Sequence, residues 1–357
     1  MKNYSHFILL LFFTLLANSC ANNEKKEVEN IDTNTPPTIN KATLKSWEIE
    51  NSVRALEVIN ENTIWYAGSA SKYGYTTDGG NTWQVDSLKI NDKTLAFRAI
   101  AATDSALFLL SIASPTFLFK TTDWGKNWDI VYQENDTLSF YNSMAFWDNK
   151  KGIATGDPIG GCLSIITTKD GGDSWQKIPC EKLPLTEKGE AEFAASNTNI
   201  SIVDKNVWIA TGGTKARVFH SADYGDTWEV IQTPIIEGEQ MTGIYSVDFF
   251  DNNQGIIFGG DWNNKTMNSK NKALTTDGGK TWALVADSLA PGYRSCVQYI
   301  SEKTLIAVGS PGISYSYDGG NHWNSYSTDG FYTVRISPSK KTAWLAGKNK
   351  LGKLNWD

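Results

Sequence analysis

The sequence has few of the residues that hold metals, haem or nucleotides. It contains four cysteines and three histidines among 357 residues. It has no Cys-x-x-Cys pair, no haem-attachment motif and no Gly-x-Gly-x-x-Gly after a strand-like run. His220 and His322 lack cysteine or carboxylate partners at ligand spacing, so no zinc site is indicated. We therefore expect neither a metal ion nor a cofactor.

Other classes of protein are excluded by composition. Beyond the N-terminus no segment reaches the roughly eighteen apolar residues of a membrane-spanning helix. A net charge of −6 argues against nucleic acid as a partner. Hydrophobic residues make up 40% of the chain, which excludes a disordered protein. Aromatic residues are abundant, with 14 Trp, 14 Tyr and 15 Phe, and they favour the half-buried surfaces of β-sheets. The composition therefore predicts an all-β protein.

The N-terminus has the pattern of an export signal. Lys2 precedes an apolar stretch from Phe7 to Ala17, and Cys20 follows it. This arrangement resembles a bacterial lipoprotein signal, in which the cysteine becomes the lipidated first residue. The alternative is an ordinary secretory peptide with an incidental cysteine. We expect a signal peptide over residues 1–20, a flexible polar tether over residues 21–42 and one folded domain over residues 43–357, held by its lipid at a bacterial cell envelope, in the periplasm or at the outer-membrane surface.

One motif, Ser/Thr-x-Asp-x-Gly-x-x-Trp, recurs six times with a mean spacing of 48 residues. Its aspartates are Asp78, Asp123, Asp170, Asp223, Asp277 and Asp318. An aspartate can accept hydrogen bonds from N–H groups further along the turn, and the glycine two positions on supplies a left-handed conformation. The motif resembles the Asp-box, or BNR, repeat, in which the aspartates are structural and not catalytic. Calcium binding by some boxes is the alternative.

Each motif is preceded by short apolar runs that complete a four-stranded unit. Seven such units can be counted, because residues 331–356 repeat the inner strands without a box. The segment Lys45–Ile49 matches the fourth strand of the first unit in pattern, so it can complete the last unit. The sequence therefore predicts a seven-bladed β-propeller of four-stranded blades, closed by an N-terminal strand that completes the last blade.

Polar residues recur near the start of the innermost strands, where propellers commonly bind ligands. Four of the five arginines of the chain fall at or near this position, and the full set is Arg54, Arg98, Asn142, Tyr245, Arg294 and Arg335. Acidic residues populate the opposite arc: Asp157, Glu190, Glu192 and Asp261. We expect the arginines to hold a carboxylate, a phosphate or an anionic peptide. The alternative is that each arginine caps carbonyl groups or pairs with a local acid.

Over residues 43–357 the chain resembles the photosystem II stability and assembly-factor family of propellers, also found as lipoproteins in non-photosynthetic bacteria. The resemblance rests on the box spacing, on Trp65 and Trp344 in second strands and on the arginines. It implies a monomeric interaction scaffold with a protein partner, not an enzyme. Some relatives are labelled oxidoreductases, but no residue of this chain supports that label. The rival is a glycoside hydrolase of the sialidase or carboxylate-pair type, with Asp157 and Asp261 as its acids.

Two further predictions concern single residues. Trp262 is either an exposed ring that stacks on a ligand or, alternatively, a loop anchor packed on its own blade. Pairing the strands on either side of the Asp170 box brings Cys162 close to Cys180, and an exported chain meets oxidant, so these two residues are candidates for a disulfide. Cys296, on an innermost strand, reads as a small buried side chain.

Overall fold

The computed structural model describes residues 38–356, whose regular secondary structure is almost entirely β-strand. The predicted signal peptide, Cys20 and most of the predicted tether lie outside these residues. Two 3-10 helices cover Ile39–Lys41 and Cys180–Lys182. No helix within the described range is long and apolar enough to cross a membrane. The strands are β1 Thr43–Val58, β2 Ile64–Gly68, β3 Lys72–Thr76, β4 Gln84–Ser87, β5 Phe97–Ala102, β6 Leu107–Ser111, β7 Thr116–Thr121, β8 Asp129–Glu134, β9 Tyr141–Phe146, β10 Gly152–Ile159, β11 Cys162–Thr168, β12 Gln176–Lys177, β13 Glu190–Ala191, β14 Ile200–Val203, β15 Asn206–Ala210, β16 Gly212–Gly213, β17 Arg217–Ser221, β18 Glu229–Gln232, β19 Thr242–Phe249, β20 Gly255–Asp261, β21 Lys272–Thr275, β22 Ala283–Leu284, β23 Cys296–Tyr299, β24 Leu305–Gly309, β25 Gly312–Ser316, β26 Asn324–Ser327, β27 Thr333–Ile336 and β28 Thr342–Asn355.

The chain is an all-β propeller, but the prediction of seven blades is wrong. The strands form six hydrogen-bonded sheets, and these are the six blades. Four sheets have four strands each, in the orders β5-β6-β7-β8, β12-β11-β10-β9, β14-β15-β17-β18 and β23-β24-β25-β26. The other two have six strands each, in the orders β27-β28-β1-β2-β3-β4 and β13-β16-β19-β20-β21-β22.

The long strand β1 explains the difference in blade number. Its first half pairs with β28, from Thr43 opposite Asn355 to Glu48 opposite Lys350. Its second half pairs with β2, from Val53 opposite Gly68 onward. One continuous strand therefore joins the units predicted as first and last blades into a single sheet.

Packing starts a few residues before the predicted domain boundary. Ile39, inside the segment expected to be a tether, is fully buried in a hydrophobic cluster with Phe331, Leu354 and Trp356. Such clusters fill the spaces between neighbouring sheets, and each contains apolar residues from the facing strands.

The six box motifs form the turns between the third and fourth strands of their units. In each turn the aspartate Oδ1 accepts a hydrogen bond from the N–H group four residues on, at 2.8–3.0 Å. Hydrogen bonds from the side chain and backbone of that residue lower the pKa of Asp123 and Asp277 to about 2. Within residues 38–356 no group of three or more acidic, histidine or cysteine side chains could hold a metal ion.

The box glycines also let neighbouring blades approach closely. The Cα of Gly172 lies against Phe108 of the preceding blade, since a Cβ built at this position would come within 2.3 Å of the ring. The carbonyl oxygen of Gly278 accepts a hydrogen bond of 2.9 Å from Trp208 Nε1. These two turns therefore have two roles, to close their own hairpins and to pack against the second strand of a neighbouring unit.

A disulfide joins Cys162 to Cys180 across the third unit, with a Cα–Cα distance of 5.6 Å. Cys296 is a free, fully buried cysteine.

Candidate functional site

Backbone bulges present a set of polar side chains at the start of the innermost strands. The pairing register shifts by one residue at Arg54 in β1, Arg98 in β5, Asn142 in β9 and Tyr245 in β19. A bulge leaves one residue without a partner across the ladder and redirects its side chain. The repeated bulge therefore places these four side chains at equivalent positions around the propeller.

Two arginines form the cationic side of the site. The Arg54 guanidinium lies 4.2 Å from the centre of the Tyr332 ring, and its NH1 donates to Ser52 Oγ at 3.1 Å. Within residues 38–356 the Arg98 side chain has no hydrogen-bond or ion-pair partner, and its Nε is fully buried. Burial and the positive charge of Arg54 lower the pKa of Arg98 to about 10. Two adjacent cations therefore lack a compensating carboxylate.

Aromatic rings continue the site from Arg54. The rings of Phe193 and Tyr245 stack at 4.0 Å, and Tyr293 meets Tyr245 edge-on at 4.7 Å. Trp262 packs edge-on against Tyr293 at 5.4 Å, beneath the ammonium of Lys265. The Trp262 ring is partly buried and packs against the cluster of Phe193, Tyr245 and Tyr293.

An acidic pair lies on the other side of the site. Asp157 Oδ1 accepts hydrogen bonds from Asn142 Nδ2 at 3.0 Å and from the N–H group of Glu192 at 3.1 Å. The Glu192 carboxylate accepts from Thr155 Oγ1. Burial raises the pKa of Asp157 to about 6, and burial together with the charge of Asp157 raises that of Glu192 to about 8. At neutral pH the pair therefore keeps one proton.

We call these groups together the mouth. Arg98 lies near Arg54, and the Arg54 guanidinium lies near Tyr332 and Tyr293. The rings of Tyr293, Tyr245 and Phe193 pack together, and Phe193 follows Glu192 in the chain. The members of the mouth are Arg54, Arg98, Asn142, Asp157, Glu192, Phe193, Tyr245, Tyr293 and Tyr332. Tyr332, Phe193 and Tyr293 were not predicted. In the structure Thr333 pairs with Ala346 as Ala55 pairs with Ala67, so Tyr332 occupies the position equivalent to Arg54. No repeat pattern identifies the other two.

Arg294 and Arg335 lie outside the mouth. Arg294 donates to the carbonyl of Tyr293 and to Ser314 Oγ, both at 2.8 Å, and lines a separate cavity. Arg335 lines a cavity of about 290 Å³ with Glu57 and Asp248, and its guanidinium donates to the carbonyls of neighbouring residues. Burial raises the pKa of both carboxyl groups to about 7.

The acids expected opposite the arginines do not act as one group. Glu190 forms a buried, two-pronged ion pair with Arg217, whose Nε donates to Glu190 Oε1 at 3.0 Å. Asp261 accepts a hydrogen bond from the N–H group of Asn263. Burial raises the pKa of Tyr245, and the charge of Asp261 adds to that shift. Asp157 and Asp261, the two acids considered for a hydrolase, have different partners, Asn142 for the first and the N–H group of Asn263 for the second.

The histidines bind side chains within the fold. His220 lies between Glu229 and Asn206, with ring-nitrogen contacts of 2.8 Å and 3.0 Å. His322 Nδ1 contacts the Asp318 carboxylate of its own box at 2.5 Å. The partners of His220 lie in its own sheet, and the partner of His322 lies in its own turn.

Comparison with known proteins shows what this arrangement resembles. Residues 39–138 match the family described as photosynthesis system II assembly factor YCF48. The photosystem II stability/assembly factor HCF136 of Guillardia theta is 26% identical over 202 residues, which cover 52% of this chain and 48% of that protein. The chain resembles these assembly factors. The match spans about half the length of that curated relative.

Solved structures support the same fold for the assembly-factor-like propeller. YCF48 bound to D1 peptide superposes with a TM-score of 0.66 at 15% identity, covering 88% of this chain and 97% of that one. YCF48 from Cyanidioschyzon merolae gives 0.63 at 15% identity, covering 87% and 98%. The WD40 repeats of RRP9 give 0.62 at 9% identity, covering 88% and 97%. Because a WD40 domain matches almost as well, the superpositions establish the fold alone.

Proposed function

We propose that this chain is an assembly-type scaffold that binds another protein at the mouth, where Arg54 and Arg98 hold an anionic group of the partner. The observation that carries the proposal is the unpartnered guanidinium of Arg98 beside Arg54. A guanidinium that is half-buried usually has a carboxylate or carbonyl partner, since its hydration is partly lost. A bound anion would supply the missing acceptor and relieve the repulsion between the two cations.

The rest of the mouth favours a protein partner over a lone ion. The ring of Tyr332, which lies against Arg54, is partly exposed and offers apolar contact area, and an arginine beside an aromatic ring is a combination enriched at the centres of protein interfaces. The acidic pair of Asp157 and Glu192 adds a region of opposite charge, which would orient a segment that carries both signs. The relatives support this class of function, because one of them was solved with a bound peptide.

The anchoring of the scaffold belongs to the same proposal. The pattern from Lys2 to Cys20 supports export and lipidation at Cys20, so that a monomeric propeller would be held at the bacterial envelope through its lipid alone. Mass spectrometry of the mature N-terminus tests the anchor. We expect a diacylglyceryl-modified Cys20, and release of Cys20→Ala from membranes. An unmodified N-terminus on the exported protein would contradict it.

Crosslinking in cells tests the binding function. The wild type, Arg54→Gln/Arg98→Gln and a control, Lys126→Gln/Lys280→Gln, are crosslinked, purified under denaturing conditions and compared by quantitative mass spectrometry. The control removes the same charge from exposed positions on box turns. We expect the arginine variant to lose its partner by roughly tenfold or more, the effect of losing charge-assisted hydrogen bonds. Equal capture by all three proteins would refute the proposal.

A further inference from the structure

A second cationic site lies away from the mouth, in a cavity of about 270 Å³. The cavity is formed where the loop after β20 closes over the unit of β23 to β26. Its lining includes Thr266, Asn268, Pro291, Arg294, Ser314 and Trp323. We propose that this cavity binds the oxyanion of a small molecule, a phosphate or a carboxylate, on the guanidinium of Arg294.

Arg294 is buried without an acidic partner. The residue is only 6% exposed to solvent. NH1 donates to the carbonyl of Tyr293 and NH2 to Ser314 Oγ, while Nε has no acceptor. A guanidinium carries five N–H groups, so three remain unused within the described residues. By contrast, the buried Arg217 is fully engaged by Glu190. The unused donors of Arg294 are the feature that points to an anionic ligand.

Lys272 adds a second buried positive charge near Arg294. It is 1% exposed, and its Nζ donates to Asn271 Oδ1 and to the carbonyls of Leu289 and Pro291. Burial and the neighbouring Arg294 lower the pKa of Lys272 to about 8, although the exposed Asp287 opposes this shift. Burial also lowers the pKa of Arg294, to about 10. An anion in the cavity would stabilise both charged forms.

The remaining walls suit a small ligand with an oxyanion. Thr266, Asn268, Ser314 and other hydroxyl and amide side chains supply hydrogen-bonding groups, while Trp323 and the prolines supply apolar contacts. Gly292 lets the loop approach, because a Cβ there would come within 2.2 Å of the Lys265 carbonyl oxygen. The site is thus built by close packing of the loop on the blade. It does not depend on the function proposed for the mouth.

Calorimetric titration tests the proposal, with sodium phosphate, sodium acetate and sodium chloride as probes at constant ionic strength. The protein is Arg54→Gln/Arg98→Gln, so that binding at the mouth makes no contribution. We expect phosphate or acetate to bind with a stoichiometry of one, and chloride to give no saturable heat. Absence of saturable binding of both oxyanions would overturn the proposal.

Two substitutions locate the bound anion. Adding Arg294→Gln should weaken binding roughly tenfold or more. Asn268→Asp introduces a carboxylate at the cavity wall with almost no change of shape, and it should weaken binding without loss of folding. Asn263→Asp places the same charge on the same loop at an exposed position outside the lining, and should leave binding unchanged. Equal affinity of Asn268→Asp and Asn263→Asp would place the anion elsewhere and refute the assignment.

Discussion

The acidic pair at the mouth should make the stability of the protein depend strongly on pH. Glu192 is 3% exposed, and burial together with the neighbouring charge of Asp157 raises its pKa from 4.5 to about 8. In the unfolded chain the carboxyl group returns to its ordinary pKa. The folded state therefore holds a proton that the unfolded state releases more readily, and unfolding becomes more favourable as the pH rises.

The size of the effect follows from the shift in pKa. One pKa unit corresponds to about 1.4 kcal/mol, so Glu192 alone accounts for up to about 5 kcal/mol of unfolding free energy. The stabilisation is complete below the unfolded pKa near 4.5 and is lost as the pH rises through about 8. Asp157, whose pKa is raised to about 6, adds a smaller loss in the same direction.

The substitution Glu192→Gln removes this titration while keeping an oxygen that accepts from Thr155. Urea unfolding, followed by tryptophan fluorescence, is measured from pH 5 to pH 9. We expect wild type and variant to agree within about 1 kcal/mol at pH 5, and the variant to be the more stable protein at pH 9. The exposed Glu302→Gln should follow the wild type throughout. Parallel curves for Glu192→Gln and the wild type would refute the pKa argument.

Two further substitutions test the packing of the fold. Glu190→Gln leaves the buried guanidinium of Arg217 without its carboxylate, and should lower the unfolding free energy in urea by about 3–5 kcal/mol. A loss below about 1 kcal/mol would show that the pair behaves as an exposed one. Gly172→Ala should lower the melting temperature more than Gly319→Ala, by the equivalent of about 1–3 kcal/mol. Both glycines have a positive φ, but only at Gly172 would the new Cβ meet a ring, that of Phe108. Equal losses would contradict this packing.

The propeller fold could be predicted from the sequence because its main signal is local. Each box motif carries its own hydrogen-bond acceptor, its left-handed glycine and the start of the next strand. Six copies at a regular spacing therefore predicted the repeated hairpins, and the all-β propeller is confirmed. The number of blades was wrong because it depends on how distant strands pair. The sequence predicted that Lys45–Ile49 pairs with the last unit, as the first half of β1 does with β28, but not that the same strand continues without a break to pair with β2.

The site was harder to predict than the fold. Arg54 and Arg98 could be aligned because each follows a similar strand start, and the structure brings them together. Arg294 lies one residue before the equivalent position, and a shift of one residue turns a strand side chain to the opposite face. Phe193 and Glu192 lie in the segment around the two-residue strand β13, which has no counterpart in the other units. Repeat periodicity carries no information about such an insertion.

The five arginines together indicate where ligands would stabilise this protein. Arg217 has a carboxylate partner, Arg335 donates to backbone carbonyls, and Arg54 lies over an aromatic ring and donates to a hydroxyl group. Among the five arginines, all within the described residues, only Arg98 and Arg294 keep a buried Nε–H without an acceptor. An unsatisfied buried donor destabilises the free protein, and a ligand that satisfies it binds the folded state alone. The same two residues that weaken the empty propeller are therefore those at which a partner or a small anion would raise its melting temperature.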